Sequence, residues 1–179
     1  MKRLLILCTV PLLLAACSGP STPAVDVNKQ QTERLYGTWK FSYTASEGES
    51  FNLYTLTSLH ASKTPGEYYL TGTDEKGEVV LAGYDSENKE FNLLDQGASF
   101  DQFFVFSLTS ETTAEGCNFR VNPANGDFSE CYMMTGTRTG TAAALSVSKS
   151  AAQERMLPPS ATNGSAVLQK YRSLKTLAN

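Results

Sequence analysis

Gly37-Thr38-Trp39-Lys40-Phe41-Ser42-Tyr43-Thr44-Ala45 is the stretch on which the fold turns. Trp39, Phe41 and Tyr43 take every second position, with Lys40, Ser42 and Thr44 between them. A period of two sends alternate side chains to opposite faces of an extended strand, so this segment buries one face and wets the other. The same texture, rich in Tyr, Phe, Thr and Val, runs on to Thr139 and is broken by turn residues about every eight to twelve positions. It predicts strands over 38–45, 50–60, 67–73, 78–84, 89–95, 102–109, 116–121 and 127–137, an all-β barrel or sandwich.

The turns predict that neighbours in sequence pair as hairpins. Asp74-Glu75-Lys76-Gly77 offers glycine where a positive φ is wanted, and Asp85-Ser86-Glu87-Asn88 is a polar turn of similar length. Asn122-Pro123-Ala124-Asn125-Gly126 sets a register: with Ala124 at its centre, Val121 faces Asp127, Phe119 faces Ser129 and Cys117 faces Cys131. Opposed residues in antiparallel strands hold their Cβ atoms about 4.5–5.5 Å apart, within reach of a disulfide after small adjustment.

Beyond Thr139 the alternation ends. Residues 140–164, with Pro158-Pro159 and Asn163-Gly164 as breakers, read as a loop-rich linker. Residues 165–178 then show helical spacing, with Val167, Leu168, Tyr171, Leu174 and Leu177 on one stripe and Lys170, Arg172 and Lys175 outside it. A helix this short is marginal alone in water and needs a surface. Phe104, Phe106 and Leu108, on the strand face opposite Phe103 and Val105, form the outer stripe it is expected to cover.

At the other end, Met1-Lys2-Arg3 precedes an apolar run from Leu4 to Leu14 and the small residues Ala15-Ala16. The run is too short to span a bilayer, which takes about 18–20 apolar residues, and has the layout of a secretory leader. Leu14-Ala15-Ala16-Cys17 resembles the lipobox of bacterial lipoproteins. The resemblance implies a signal peptide over residues 1–16 that is removed, acyl chains on Cys17, and a membrane anchor. Several acyl chains on one residue give stable attachment where a single chain is marginal. Ser18, where lipoproteins retained in the inner membrane often carry Asp, favours the outer membrane. Residues 17–30, with Pro20 and Pro23, read as a flexible tether. On this reading Cys8 leaves with the leader and Cys17 is acylated, so Cys117 and Cys131 remain as the pair an exported protein oxidises.

Gly37-Thr38-Trp39 also resembles the Gly-x-Trp motif that opens lipocalins and related calycin barrels. The resemblance implies an eight-stranded antiparallel up-and-down β-barrel over residues 31–139, with Trp39 across the closed bottom and Arg138, late in the last strand, packed on it. A guanidinium over an indole is a favourable pairing. Alternation lines such a barrel with Trp39, Phe41, Tyr43, Phe51, Leu53, Tyr68, Leu70, Val79, Leu81, Phe91, Leu93, Phe103 and Val105, an apolar and aromatic interior. Eight strands leave room for side chains alone or for one small ligand.

Charge narrows the function. From Gln31 to Thr139 there are 16 Asp and Glu against 7 Lys and Arg, while Gly140 to Asn179 holds 5 basic residues against Glu154. An acidic body excludes a nucleic-acid-binding face, and the basic tail is expected to dock on it. His60 is the single histidine, too little for a zinc site, and no phosphate-cradling glycine loop or nucleophile elbow occurs. The expectation is a monomeric, non-enzymatic outer-membrane lipoprotein with no cofactor or metal beyond the covalent lipid on Cys17. Its barrel binds either an apolar small molecule or lipid or, if solid, an envelope protein. In size and compartment the second reading is similar to periplasmic inhibitors of basic lysozymes.

Overall fold

Every predicted strand forms, and the sheet closes on itself. The computed structural model describes residues 25–45, 48–140 and 164–178. Helix α1 (Val27–Glu33) is followed by β1 (Gly37–Ala45), β2 (Gly48–Ala61), β3 (Tyr68–Asp74), β4 (Val79–Asp85), β5 (Glu90–Asp95), β6 (Asp101–Leu108), β7 (Thr113–Val121), β8 (Tyr132–Gly140) and α2 (Gly164–Ala178). Each strand pairs antiparallel with its neighbours in sequence, and β8 returns to β1 through Trp39 opposite Arg138 and Phe41 opposite Gly136. The result is an eight-stranded up-and-down barrel without free sheet edges. The leader, Cys17, and the linker from 141 to 163 lie outside the described residues.

The tether is shorter than the sequence indicates. Residues 27–30 belong to α1, because Asp26 caps the helix by accepting a hydrogen bond from Lys29 N at 3.2 Å. Tyr68 donates to Asp26 Oδ2 at 2.6 Å and Asn28 Nδ2 to the Gly66 carbonyl at 2.9 Å, so α1 is fastened over one end of the barrel.

The eighth strand starts later than expected, at Tyr132 and not Asp127. Asn125 and Asp127 bond to each other instead of to a ladder, Asn125 Nδ2 to Asp127 Oδ2 at 2.6 Å and Asp127 N to Asn125 Oδ1 at 3.0 Å. Such local side-chain bonding competes with strand pairing. Val121 therefore faces Phe128, and Cys117 faces Met133, not Cys131. The Cys117–Cys131 disulfide forms all the same, because the irregular segment brings the two Cα atoms to 5.2 Å. Replacing both cysteines with serine is expected to lower the unfolding free energy by up to about 3 kcal/mol, the chain-entropy value for so short a loop. Denaturant titration checks this, and an unchanged midpoint would show that the bond adds nothing to the hairpin.

Which face of each strand points inward was legible only in part. Trp39, Phe41, Tyr43, Leu70, Phe91 and Leu93 sit in the interior cluster with Tyr54, Leu56, Val80, Ala82, Phe104, Phe106, Leu108 and Met134. Phe51, Leu53, Val79, Leu81, Phe103 and Val105 point outward, against expectation. Runs such as Val79-Val80-Leu81-Ala82 and Phe103-Phe104-Val105-Phe106 are apolar on both faces, so alternation alone cannot orient them. Both faces are apolar because both are covered. Helix α2 buries Tyr171 and Leu174 on an outer cluster of Leu81, Leu94, Phe103, Val105, Phe119 and Val121. It thus covers the Phe103 and Val105 face of β6, not the Phe104, Phe106 and Leu108 stripe.

The basic helix meets acidic strands, as its charge foretold. Lys170 Nζ lies 2.7 Å from Glu90 Oε2 and 3.2 Å from Asp85 Oδ2. Lys175 Nζ lies 2.9 Å from the buried Asp101 Oδ2, to which the Tyr171 hydroxyl also donates at 2.7 Å. These ion pairs are largely shielded from water, so they fix the helix on its apolar bed more firmly than exposed pairs would.

Candidate functional site

The two ends of the barrel differ in chemistry. At the closed end, Gly37 holds φ at 113°, a conformation open to glycine, and turns the chain from α1 into β1. Trp39, fully buried, donates from Nε1 to the Leu35 carbonyl at 2.9 Å. The Arg138 guanidinium lies 4.8 Å from the indole centroid and donates to the Arg34 carbonyl, while Arg34 pairs with Glu111 at 3.0 Å. Indole, guanidinium and α1 together form a plug. Tyr68 stands at this rim, engaged with Asp26.

Above the plug, aromatic rings occupy the lumen. Phe41 sits 5.1 Å from Phe106, 5.4 Å from Phe104, 5.9 Å from Tyr54 and 6.1 Å from Trp39, centroid to centroid. Tyr54 meets Phe104 at 5.6 Å and Phe91 meets Phe106 at 5.8 Å. These are the separations of rings in van der Waals contact. The strands beside β1 are cut back to receive its ring: a Cβ on Gly136, the β8 partner of Phe41, would collide with the Phe41 ring and come to 3.0 Å of Ala114 Cβ on β7. Rings from β1, β2 and β6 thus pack over the small residues of β7 and β8 in the middle of the barrel.

Toward the open end the inward positions become polar, a feature the sequence reading missed. Tyr43 OH lies 3.0 Å from both Asn52 Oδ1 and Gln102 Oε1, and Asn118 Nδ2 donates to Gln102 Oε1 at 3.1 Å. Arg120 lies over the rings of Phe100 and Tyr132 at 5.0 and 5.8 Å. Asn52, Gln102, Asn118 and Arg120 share the parity of Tyr54, Phe104 and Gly116, a signal available in the strands once their inward face is known.

One carboxylate is embedded in this layer. Tyr54 OH donates to Asp95 Oδ2 at 2.9 Å, and carboxylate oxygens of Asp74, Glu78 and Asp95 lie within 4.8 Å of one another. Burial holds Asp95 above its ordinary value, with Asp74 and Glu78 adding to the rise and the Tyr54 bond opposing it. A carboxyl raised in the folded state stabilises when protonated, and that contribution is lost as pH climbs through about 4 toward the raised value. Asp95→Asn keeps an acceptor for Tyr54 and removes this loss. The variant is expected to match the wild type at pH 3 and to exceed it in denaturant midpoint at pH 7. A variant less stable at pH 7 than at pH 3, relative to wild type, would show that the ionised form is the favoured one.

His60, by contrast, lies on the outer wall, with Nε2 3.0 Å from Thr71 Oγ1 and its ring stacked 5.2 Å from Tyr69. Its contacts orient neighbouring side chains on the sheet surface. No protein-family model matches this chain, and no curated protein matches it.

Proposed function

We propose that the protein is a lipid-anchored envelope lipoprotein whose barrel is a non-catalytic protein-interaction module and carries no lipid inside. The observation that supports this reading is the filled lumen. Phe41 and the rings around it take up the space that a carrier of the same strand number would leave for an acyl chain. The plug of Trp39, Arg138 and α1 closes the other route in. An acidic body under a docked basic helix leaves the outer surface as the part that meets other molecules.

The anchor rests on Leu14 to Cys17, and the chain enters the described domain through α1, at the closed end. Cys17→Ser is expected to move the protein from the detergent phase to the aqueous phase on phase separation of whole cells. For the barrel, native mass spectrometry of the Cys17→Ser chain purified from its own periplasm is expected to give the mass of the polypeptide alone. A stoichiometric lipid adduct would overturn the interaction-module reading, and an unchanged detergent partition of the variant would overturn the anchor.

A further inference from the structure

We propose that the outer wall at the open end, where β8, β1 and β2 meet, is the docking surface for a partner protein with a basic face. The inference rests on the interaction-module reading and names the surface and the kind of partner. Seven large apolar side chains are exposed among the described residues, and Phe51, Val79, Phe100, Phe128 and Met133 all lie at the open end. Two of them are drawn together by the strand register. Tyr43 on β1 faces Met134 on β8, and Ser42 and Thr44 face Phe51 and Glu49 on β2, so Met133 and Phe51 flank one strand. Phe128 lies on the loop that leads into β8. Met133 is 67% exposed and Phe51 53%, an unusual cost for two large side chains on one wall of a small domain.

The β1–β2 hairpin also stands proud of its neighbour. Tyr54 is the β2 residue nearest the open end that pairs with β3, opposite Asp74, whereas residues 48–53 pair with β1. Phe51 is thereby lifted toward whatever approaches the rim.

Charge selects the occupant. Around the apolar wall stand the exposed carboxylates of Glu49, Asp127 and Glu130, and Asp74, Glu75 and Glu78 continue the rim on the next hairpin. Lys40 covers the Phe51 ring at 4.4 Å, and Lys76 lies within the acidic turn. Four carboxylates elsewhere are met from within the protein, Asp85 and Glu90 by Lys170, Asp101 by Lys175 and Glu111 by Arg34. An acidic rim repels a second copy of itself and an anionic lipid surface, and attracts a protein that presents Lys or Arg around an apolar residue.

The test uses the full mature chain, with lysozyme and cytochrome c as basic probes and serum albumin as an acidic one. At low salt at least one basic probe is expected to bind and albumin is not, with affinity falling as salt screens the rim. Glu49→Gln/Asp127→Asn/Glu130→Gln and Phe51→Ser/Met133→Ser are each expected to weaken that binding about tenfold or more. Glu67→Gln/Glu87→Gln, at the closed end, is expected to leave it unchanged, with the melting temperatures of all variants confirming that they fold. Equal weakening by the closed-end pair would overturn the docking wall and leave the interaction module standing. Binding of neither basic probe, self-association, or adsorption to phosphatidylglycerol vesicles would overturn the proposal. Lipid carried inside the wild-type barrel would remove the reading beneath it.

Discussion

Replacing Phe41 with alanine lowers the unfolding free energy by about 3–5 kcal/mol, the cost of deleting a buried aromatic side chain whose site collapses only partly. Phe41 is 1% exposed and stands at the centre of the ring cluster, in contact with Trp39, Tyr54, Phe104 and Phe106. The rings around it are held by others, so they cannot close over the gap. The variant should then gain what the wild type lacks, a dry cavity of the order of 100–150 Å³ that takes up benzene. Phe51→Ala serves as the contrast, because the same deletion on the exposed outer wall should change stability by no more than about 0.5 kcal/mol. Denaturant titration and a thermal shift with benzene check both. A loss below about 1 kcal/mol for Phe41→Ala would mean that the lumen already had room to spare.

Deleting residues 164–179 exposes the outer cluster of Leu81, Leu94, Phe103, Val105, Phe119 and Val121 in one step. Monomeric proteins seldom leave apolar patches larger than a few hundred Å² in water, so the truncated chain should bind a hydrophobic dye, melt earlier and aggregate. Asp101, held by Tyr171 and Lys175, loses both partners as water returns to it, so the ion pair goes with the apolar cover. Leu174→Ala, which leaves the ion pairs in place, should cost about 2–3 kcal/mol and isolate the apolar share. A soluble, dye-silent truncation with the melting temperature of the full chain would show that α2 is a passenger.

The barrel was legible because β1 states its alternation without ambiguity: Lys40, Ser42 and Thr44 cannot be inside, so Trp39, Phe41 and Tyr43 are. Strands β4 and β6 carry apolar residues at successive positions, since the lumen takes one face and α2 the other. No local pattern tells those faces apart. In β2 the polar Asn52 points inward and Phe51 outward, the reverse of what polarity indicates, because Asn52 is satisfied there by Tyr43. The cysteine pair was found, although its opposition in the ladder was not, because the Asn125 and Asp127 side chains take two residues out of register. Cap signals were present and unread, as Asp26 before α1 shows. The polar layer of Gln102, Asn118 and Asp95 depends on contacts between strands distant in sequence, which spacing does not reveal.

The filled lumen is tested most directly by the protein's single tryptophan. Trp39 lies buried beneath the ring cluster and is the one indole in the chain, so energy transfer from it reports on any ligand within the barrel. Titration of the wild type with a dansyl-labelled fatty acid should give no saturable transfer from Trp39. Saturable quenching of Trp39 at one ligand per protein would place an acyl chain inside and contradict the account.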